Sequence, residues 1–188
     1  VGALHGVPIT VKDWIDVVGF PCAGVTDNPD RRPEADATVV TRLRAAGAVV
    51  IAKTVAWGPT PPTDGCALHP LDPGLAPGGS STGEAIALAS GGSLIGIGSD
   101  SGGSIRLPAA WCGIIGFKPT AGLIPTTGHY PRVGPMYDGR TQIGPLATSL
   151  DDIACLLPIL AGPDGRDGGV APVPIPWSRR VETSAMSF

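Results

Sequence analysis

Apolar positions along the chain fall into short runs of two kinds. Over 7–17, VPITVKDWIDV mixes β-branched and polar residues and reads as a strand leading into a loop. Over 36–47, DATVVTRLRAAG returns apolar residues at helical spacing, with Asp36 as a candidate N-cap and Gly47 as a stop. AVVIAK (48–53) follows at once as a short buried strand. TGEAIALAS (82–90) reads as a helix, and SLIGIGS (93–99), alternating small and aliphatic residues, as a strand. In ATSLDDIACLLPILAG (147–162), Ser149 caps a helix, Asp152 sits three residues on, and Gly162 ends it. A helix followed directly by a strand predicts α/β architecture. Residues 57–79 and 162–176 are rich in proline and glycine and read as loops. A loop as long as the first is uncommon inside a compact domain and often functional. The chain contains no internal repeat.

Composition narrows the classes. A chain of 188 residues suits one domain, and 43% apolar against 15% charged residues supplies a sizeable core. A formal charge of −3 argues against a nucleic-acid partner, and no apolar run reaches the ~18 residues of a membrane span. Cys22, Cys66, Cys112 and Cys155 are widely spaced with no CxxC pair, so neither zinc nor a disulfide framework is indicated. A reduced, cytoplasmic setting is the expectation. The abrupt opening VGALHGVPITVKD and the closing VETSAMSF, which reads like the start of a strand, predict a fragment of a longer protein. Residues 1–188 are then one partial domain, with 170–188 the start of a further C-terminal part.

Candidate chemistry concentrates in IGSDSGGSIRLP (97–108). A nucleophilic serine needs a base and oxyanion donors. Ser101 lies in a D-S-G-G string like that of trypsin-like proteases. However, His5, His69 and His129 sit in no signature context, and those folds are all-β. A lysine can replace histidine as base if burial leaves it neutral. Lys12, Lys53 and Lys118 are the three available, and composition does not choose among them. PGGSSTGE (77–84) reads by itself as a turn with Ser81 as helix cap. No phosphate-binding glycine motif is present.

Taken together, these segments resemble the amidase signature family. GVPITVKD (6–13), PGGSS (77–81), GSDSGGSIRLPAAWCGIIGFKPT (98–120) and GPLATSLDDIACLLPILAGPDGRD (144–167) follow in that family's order. The likeness is greatest to the branch holding fatty acid amide hydrolase and general bacterial amidases. It implies an α/β fold with a mixed central sheet flanked by helices, truncated here at both ends. It also implies a Ser–cis-Ser–Lys triad without metal or organic cofactor. The base is then Lys12, the relay Ser80 after a cis Gly79–Ser80 bond, and the nucleophile Ser104. The N–H groups of Ser101, Gly102, Gly103 and Ser104 would form an oxyanion hole. Ser81, Asp100 and Arg106 would support the loops, and Cys112 would be a small core residue. The implied substrate is a small-molecule amide, cleaved through a serine acyl-enzyme to acid and ammonia or amine. A homodimer is the assembly that the resemblance suggests.

The sequence departs from the family pattern at Ala76, where Arg or Ser is common, and at Thr82, where glycine is common. Two other readings remain open here. One is the glutamine-hydrolysing component of a tRNA-dependent amidotransferase; that group typically reads GGSIRQP, and Leu107 stands here in place of the glutamine. The other is a non-catalytic protein retaining the scaffold.

Overall fold

The computed structural model describes residues 2–24, 28–56, 67–133, 138–170 and 172. Residues 57–66 of the 57–79 loop, with Cys66, and nearly all of the 170–188 segment therefore lie outside the described residues. In chain order the elements are β1 (Pro8–Lys12), α1 (Thr38–Ala45), β2 (Val49–Thr54), α2 (Thr82–Ala89), β3 (Ile95–Asp100), α3 (Arg106–Cys112), β4 (Ile115–Gly116), β5 (Gln142–Ala147) and α4 (Leu150–Leu160). The five strands form one mixed sheet in the order β2-β1-β3-β5-β4. β1 runs parallel to both neighbours, β2 and β3, while β5 is antiparallel to β3 and β4.

Strand alternation divides the sheet's two faces. Ile9 and Val11 of β1 and Ile95 and Ile97 of β3 face one side, where they pack with Val39, Val40 and Leu43 of α1 and Ile153, Leu156 and Leu160 of α4. Each such side chain, fully buried, contributes about 1.5–3 kcal/mol of hydrophobic stabilisation. The opposite face of β3 is lined by Gly96 and Gly98. A Cβ at Gly98 would lie 2.6 Å from Ser81 Oγ, and one at Gly96 would run into the Glu84 carboxylate and Leu88. The small–aliphatic alternation thus has a purpose: it lets α2 settle directly on the sheet. Leu88, Ile105, Ala109 and Leu146 form a second, smaller core there.

Two local expectations are corrected. Asp36 does not cap α1. Ala37 occupies the cap position with no side-chain bond, and the Asp36 carboxylate instead accepts from the Val18 N–H (2.7 Å) and pairs with Arg44 (2.7 Å). The 48–53 run is not a buried strand. In the described structure β2 is the sheet's edge, with Val49 50% and Ile51 46% exposed. At α4, Ser149 Oγ accepts from the Asp152 N–H at 3.1 Å, as the sequence pattern predicts. Elements that the hydrophobic pattern leaves unassigned are α3, β4 and β5.

Candidate active site

All three parallel strands end on the same edge of the sheet, and polar side chains gather there. Lys12 is the last residue of β1, the middle one of those three. It lies on the α2 face, fully buried, beneath the turn that precedes α2. Its Nζ donates to Ser80 Oγ at 2.7 Å and to the Ser99 carbonyl at 3.2 Å, and lies 4.2 Å from the centroid of the Trp14 ring. Burial lowers its pKa from 10.5 to about 7, against the opposing pull of Glu84 and Asp100. A lysine so placed exchanges a proton near neutral pH.

Ser80 follows a cis peptide bond from Gly79. Ser81, next in the chain, turns its hydroxyl to the Ser99 carbonyl (3.3 Å) and makes no side-chain cap bond to α2. Its N–H donates to the Ser104 carbonyl at 3.0 Å, which stitches the two serine loops together. Thr82, in place of the family's glycine, begins α2 and donates its hydroxyl to the Gly78 carbonyl at 2.8 Å.

The loop from β3 to α3 is organised by Asp100. Its carboxylate, fully buried, accepts from the N–H groups of Gly103 (2.7 Å), Ile105 (3.1 Å) and Arg106 (3.3 Å). The Arg106 guanidinium completes it with bonds of 2.9 and 3.0 Å. Desolvation pushes the Asp100 pKa up, but the Arg106 and backbone donors together outweigh it and hold the carboxyl at about 2. Gly103 adopts φ +122°, a conformation that other residues rarely take. Because its N–H is spent on Asp100, Gly103 is not a free oxyanion donor. Gly102 and Ser104 N–H carry no hydrogen bond among the described residues.

The two serines of this loop are treated differently. The Ser101 hydroxyl is hydrogen-bonded to Thr141 Oγ1, which in turn donates to Asp138 (2.6 Å). The Ser104 hydroxyl has no hydrogen-bond partner among the described residues; Lys12 bonds Ser80, and no bond among them joins Ser80 to Ser104. No histidine bonds either hydroxyl. His69 is spent on the Trp111 carbonyl and the Leu71 and Asp72 N–H groups. Cys112 is buried, bonds the Pro77 carbonyl, and has its thiol pKa raised by burial. The described residues contain no cluster able to hold a metal ion.

Three residues that sequence reasoning passed over belong to this neighbourhood. Ser99 is a junction: its carbonyl receives Lys12 and Ser81, and its hydroxyl meets His129 Nε2 at 2.9 Å. His129 Nδ1 faces the Pro131 carbonyl at 2.7 Å, so Nδ1 donates and Nε2 accepts from Ser99. Burial lowers the pKa of this histidine to about 4 and keeps it neutral. Glu84, fully buried in α2, accepts from Thr10 Oγ1 (2.6 Å) and Thr54 Oγ1 (2.5 Å). Desolvation raises its pKa to about 7, against those bonds and the lysines. A lone acid among the alanines and aliphatics of GEAIALA is the sequence signal that could have singled it out. A cavity of about 600 Å³ borders His129, Arg31, Arg132 and Asp167. None of Lys12, Ser80 and Ser104 lines it.

The sequence matches the family model described as Amidase over residues 1–187. It is 43% identical over 183 residues to AmiD of Mycobacterium tuberculosis, itself a candidate amidase, covering 93% of this chain and 37% of that protein. It is 42% identical over 183 residues to the A-type component of the glutamyl-tRNA(Gln) amidotransferase of a Cyanothece species, covering 94% of this chain and 37% of that protein. The native peptide amidase of Stenotrophomonas maltophilia superposes with a TM-score of 0.81 at 34% identity, over 92% of this chain and 37% of that one. The chain thus spans little more than a third of the length of these relatives.

Proposed function

The chain belongs to the amidase family, and from that premise we propose that it carries the catalytic centre of a serine amidohydrolase with Lys12, Ser80 and Ser104 as its triad. The observation that carries the proposal is the 2.7 Å bond between a fully buried lysine, poised to lose its proton near pH 7, and Ser80. In this reading Ser104 Oγ attacks the amide carbonyl carbon while its proton passes through Ser80 Oγ to neutral Lys12. The carbonyl oxygen becomes an oxyanion held by the free N–H groups of Gly102 and Ser104, with Ser101 N–H as a further donor. Asp100 and Arg106 hold that loop in shape. As the C–N bond breaks, Lys12 returns the proton through Ser80 to the leaving nitrogen. Water then releases the acid from Ser104 by the reverse proton path. No step calls on a metal or organic cofactor. We place the protein in the cytoplasm, acting on a small-molecule amide, with a homodimer as the assembly to test.

A second reading, the glutamine-hydrolysing component of an amidotransferase, draws on an identity nearly equal to that with AmiD. Leu107, 40% exposed beside the loop, favours the general amidase because it offers no polar group there. Ammonia release from glutamine would separate the two.

The test is fluorophosphonate labelling followed by peptide mapping. An adduct on Ser104, abolished in Ser104→Ala, is the expected result. An adduct on Ser101 would overturn the assignment, and absence of any adduct would favour a non-catalytic scaffold.

A further inference from the structure

The mechanism above leaves one buried ionisable group unused. Glu84 projects from α2 onto the sheet, and its two carboxylate oxygens clamp Thr10 of β1 and Thr54 of β2. Gly96 of β3 makes the room, since a Cβ there would collide with Glu84 Oε2. A mechanical clamp does not need a charge. A glutamine could accept from one threonine and donate to the other, leaving Thr10 to turn its hydroxyl to the Ile95 carbonyl, already 3.5 Å away. Burying a carboxyl instead is costly unless its charge is used.

The strand supplies that use. Thr10 and Lys12 are alternate residues of β1, so both point to the α2 face, about 6.7 Å apart along the strand. Glu84 is bonded to the first and its field falls on the second. The other groups around Lys12 are already occupied. Asp100, at the end of β3, pulls on Lys12 in the same direction but less strongly than Glu84, its charge being shared with Arg106 and three N–H groups. His129, behind Ser99, is neutral. Lys53 of β2 is turned to the Asp13 carbonyl (2.8 Å) and lies 3.8 Å from the Asp13 carboxylate. The Trp14 ring attracts a cation but carries no net charge.

We infer that Glu84 is a positioning residue of the reaction, whose negative charge strengthens the hold of Lys12 on its proton and so sets the pH above which Ser104 becomes nucleophilic. The inference rests on the triad proposed above. Taking the strand spacing of roughly 7 Å as the scale of the separation between the two charges, at an effective dielectric of ~20, the coupling between Glu84 and Lys12 amounts to roughly 1.5–2 pH units. Glu84 is itself only partly ionised near pH 7, so about one unit is expected from its removal.

The experiment is the rate of fluorophosphonate labelling between pH 5 and 9. It follows formation of the Ser104 O–P bond with loss of fluoride and transfer of the serine proton to Lys12. Glu84→Gln should move the midpoint of the rise down by about one pH unit, and Glu84→Asp should restore it toward the starting value. Thr54→Val, which removes one donor to the carboxylate and so weakens its ionisation, should shift it the same way by less. A folded Glu84→Gln protein with an unmoved midpoint, or one that fails to label at any pH, overturns the inference while leaving the triad standing. If Glu84→Gln does not fold, an unmoved midpoint in Thr54→Val overturns it. An unaltered protein that never labels removes the triad, and this inference with it.

Discussion

Replacing Lys12 with methionine is expected to make the protein more stable at pH 7 and less stable at pH 10. The side chains are similar in length, so packing changes little, but the burial of an ionisable amine disappears. Lys12 is fully buried, with its pKa lowered from 10.5 to about 7. Between those values the unfolded chain binds the proton and the folded protein does not, so the stability of the unaltered protein rises with pH across that window. At pH 7 the cost of keeping the amine buried is about 4 kcal/mol, and by pH 10 it falls below about 1 kcal/mol. Against this, methionine forfeits the bonds to Ser80 and the Ser99 carbonyl and the contact with Trp14, worth together about 2–3 kcal/mol. The balance favours the variant by about 1–2 kcal/mol at pH 7 and disfavours it by a similar amount at pH 10. Urea unfolding of both proteins at the two pH values measures this directly. A methionine variant that is weaker at pH 7, by a margin that does not change at pH 10, would refute the account of Lys12 as a buried amine whose proton is held less tightly in the folded protein.

Asp100→Ala strands the buried N–H groups of Gly103 and Ile105, at about 1–3 kcal/mol each, so urea unfolding should show a loss of about 3–5 kcal/mol and Asp100→Asn a smaller one. The folded Asp100 pKa lies below its ordinary value of 3.8, so its stabilisation is intact above about pH 4 and is lost as pH falls through about 2. Acid titration followed by circular dichroism should therefore show Asp100→Asn losing less stability than the unaltered protein over that range. A Cβ at Gly144 would collide with the Phe117 carbonyl oxygen and lie 2.9 Å from Pro119 Cδ, whereas one at Gly168 meets open space. Gly144→Ala should lower Tm by about 5 °C or more and Gly168→Ala should leave it unchanged in thermal melts.

What could be read from the sequence followed the strength of local signals. α4 was legible because its cap, Ser149 with Asp152, is written in adjacent residues, and β1 and β3 because their alternation is intact. β5 was not: Gly144 and Pro145 fall in the middle of QIGPLA, interrupt its apolar run and imitate a turn. α3 carries Pro108 in its first turn within a loop-like string. β2 was found but placed wrongly, since an apolar run does not reveal which strand will lie at a sheet's edge. For the proposed triad, only resemblance nominates Lys12, Ser80 and Ser104, where composition offers three lysines without preference. Gly103 was misjudged because the direction of one N–H depends on Asp100, three residues away. His129 and Ser99 escaped because each acquires meaning through partners 18 to 87 residues away, in contacts that no local pattern encodes.

The stitching of Lys12 to Ser80 and to Ser99 spans 68 and 87 residues of chain, and rests on the parallel pairing of β1 with β3. Parallel pairing between distant segments forms slowly, after much of a chain has collapsed. Until it forms, Lys12 stands in water with an ordinary ammonium charge, and a serine beside it is as unreactive as any alcohol. Under the proposed triad, then, reactivity reports completed folding: a nascent or half-collapsed chain is chemically silent. In a refolding time course, fluorophosphonate incorporation should appear no earlier than protection of the β1 and β3 amides from hydrogen exchange.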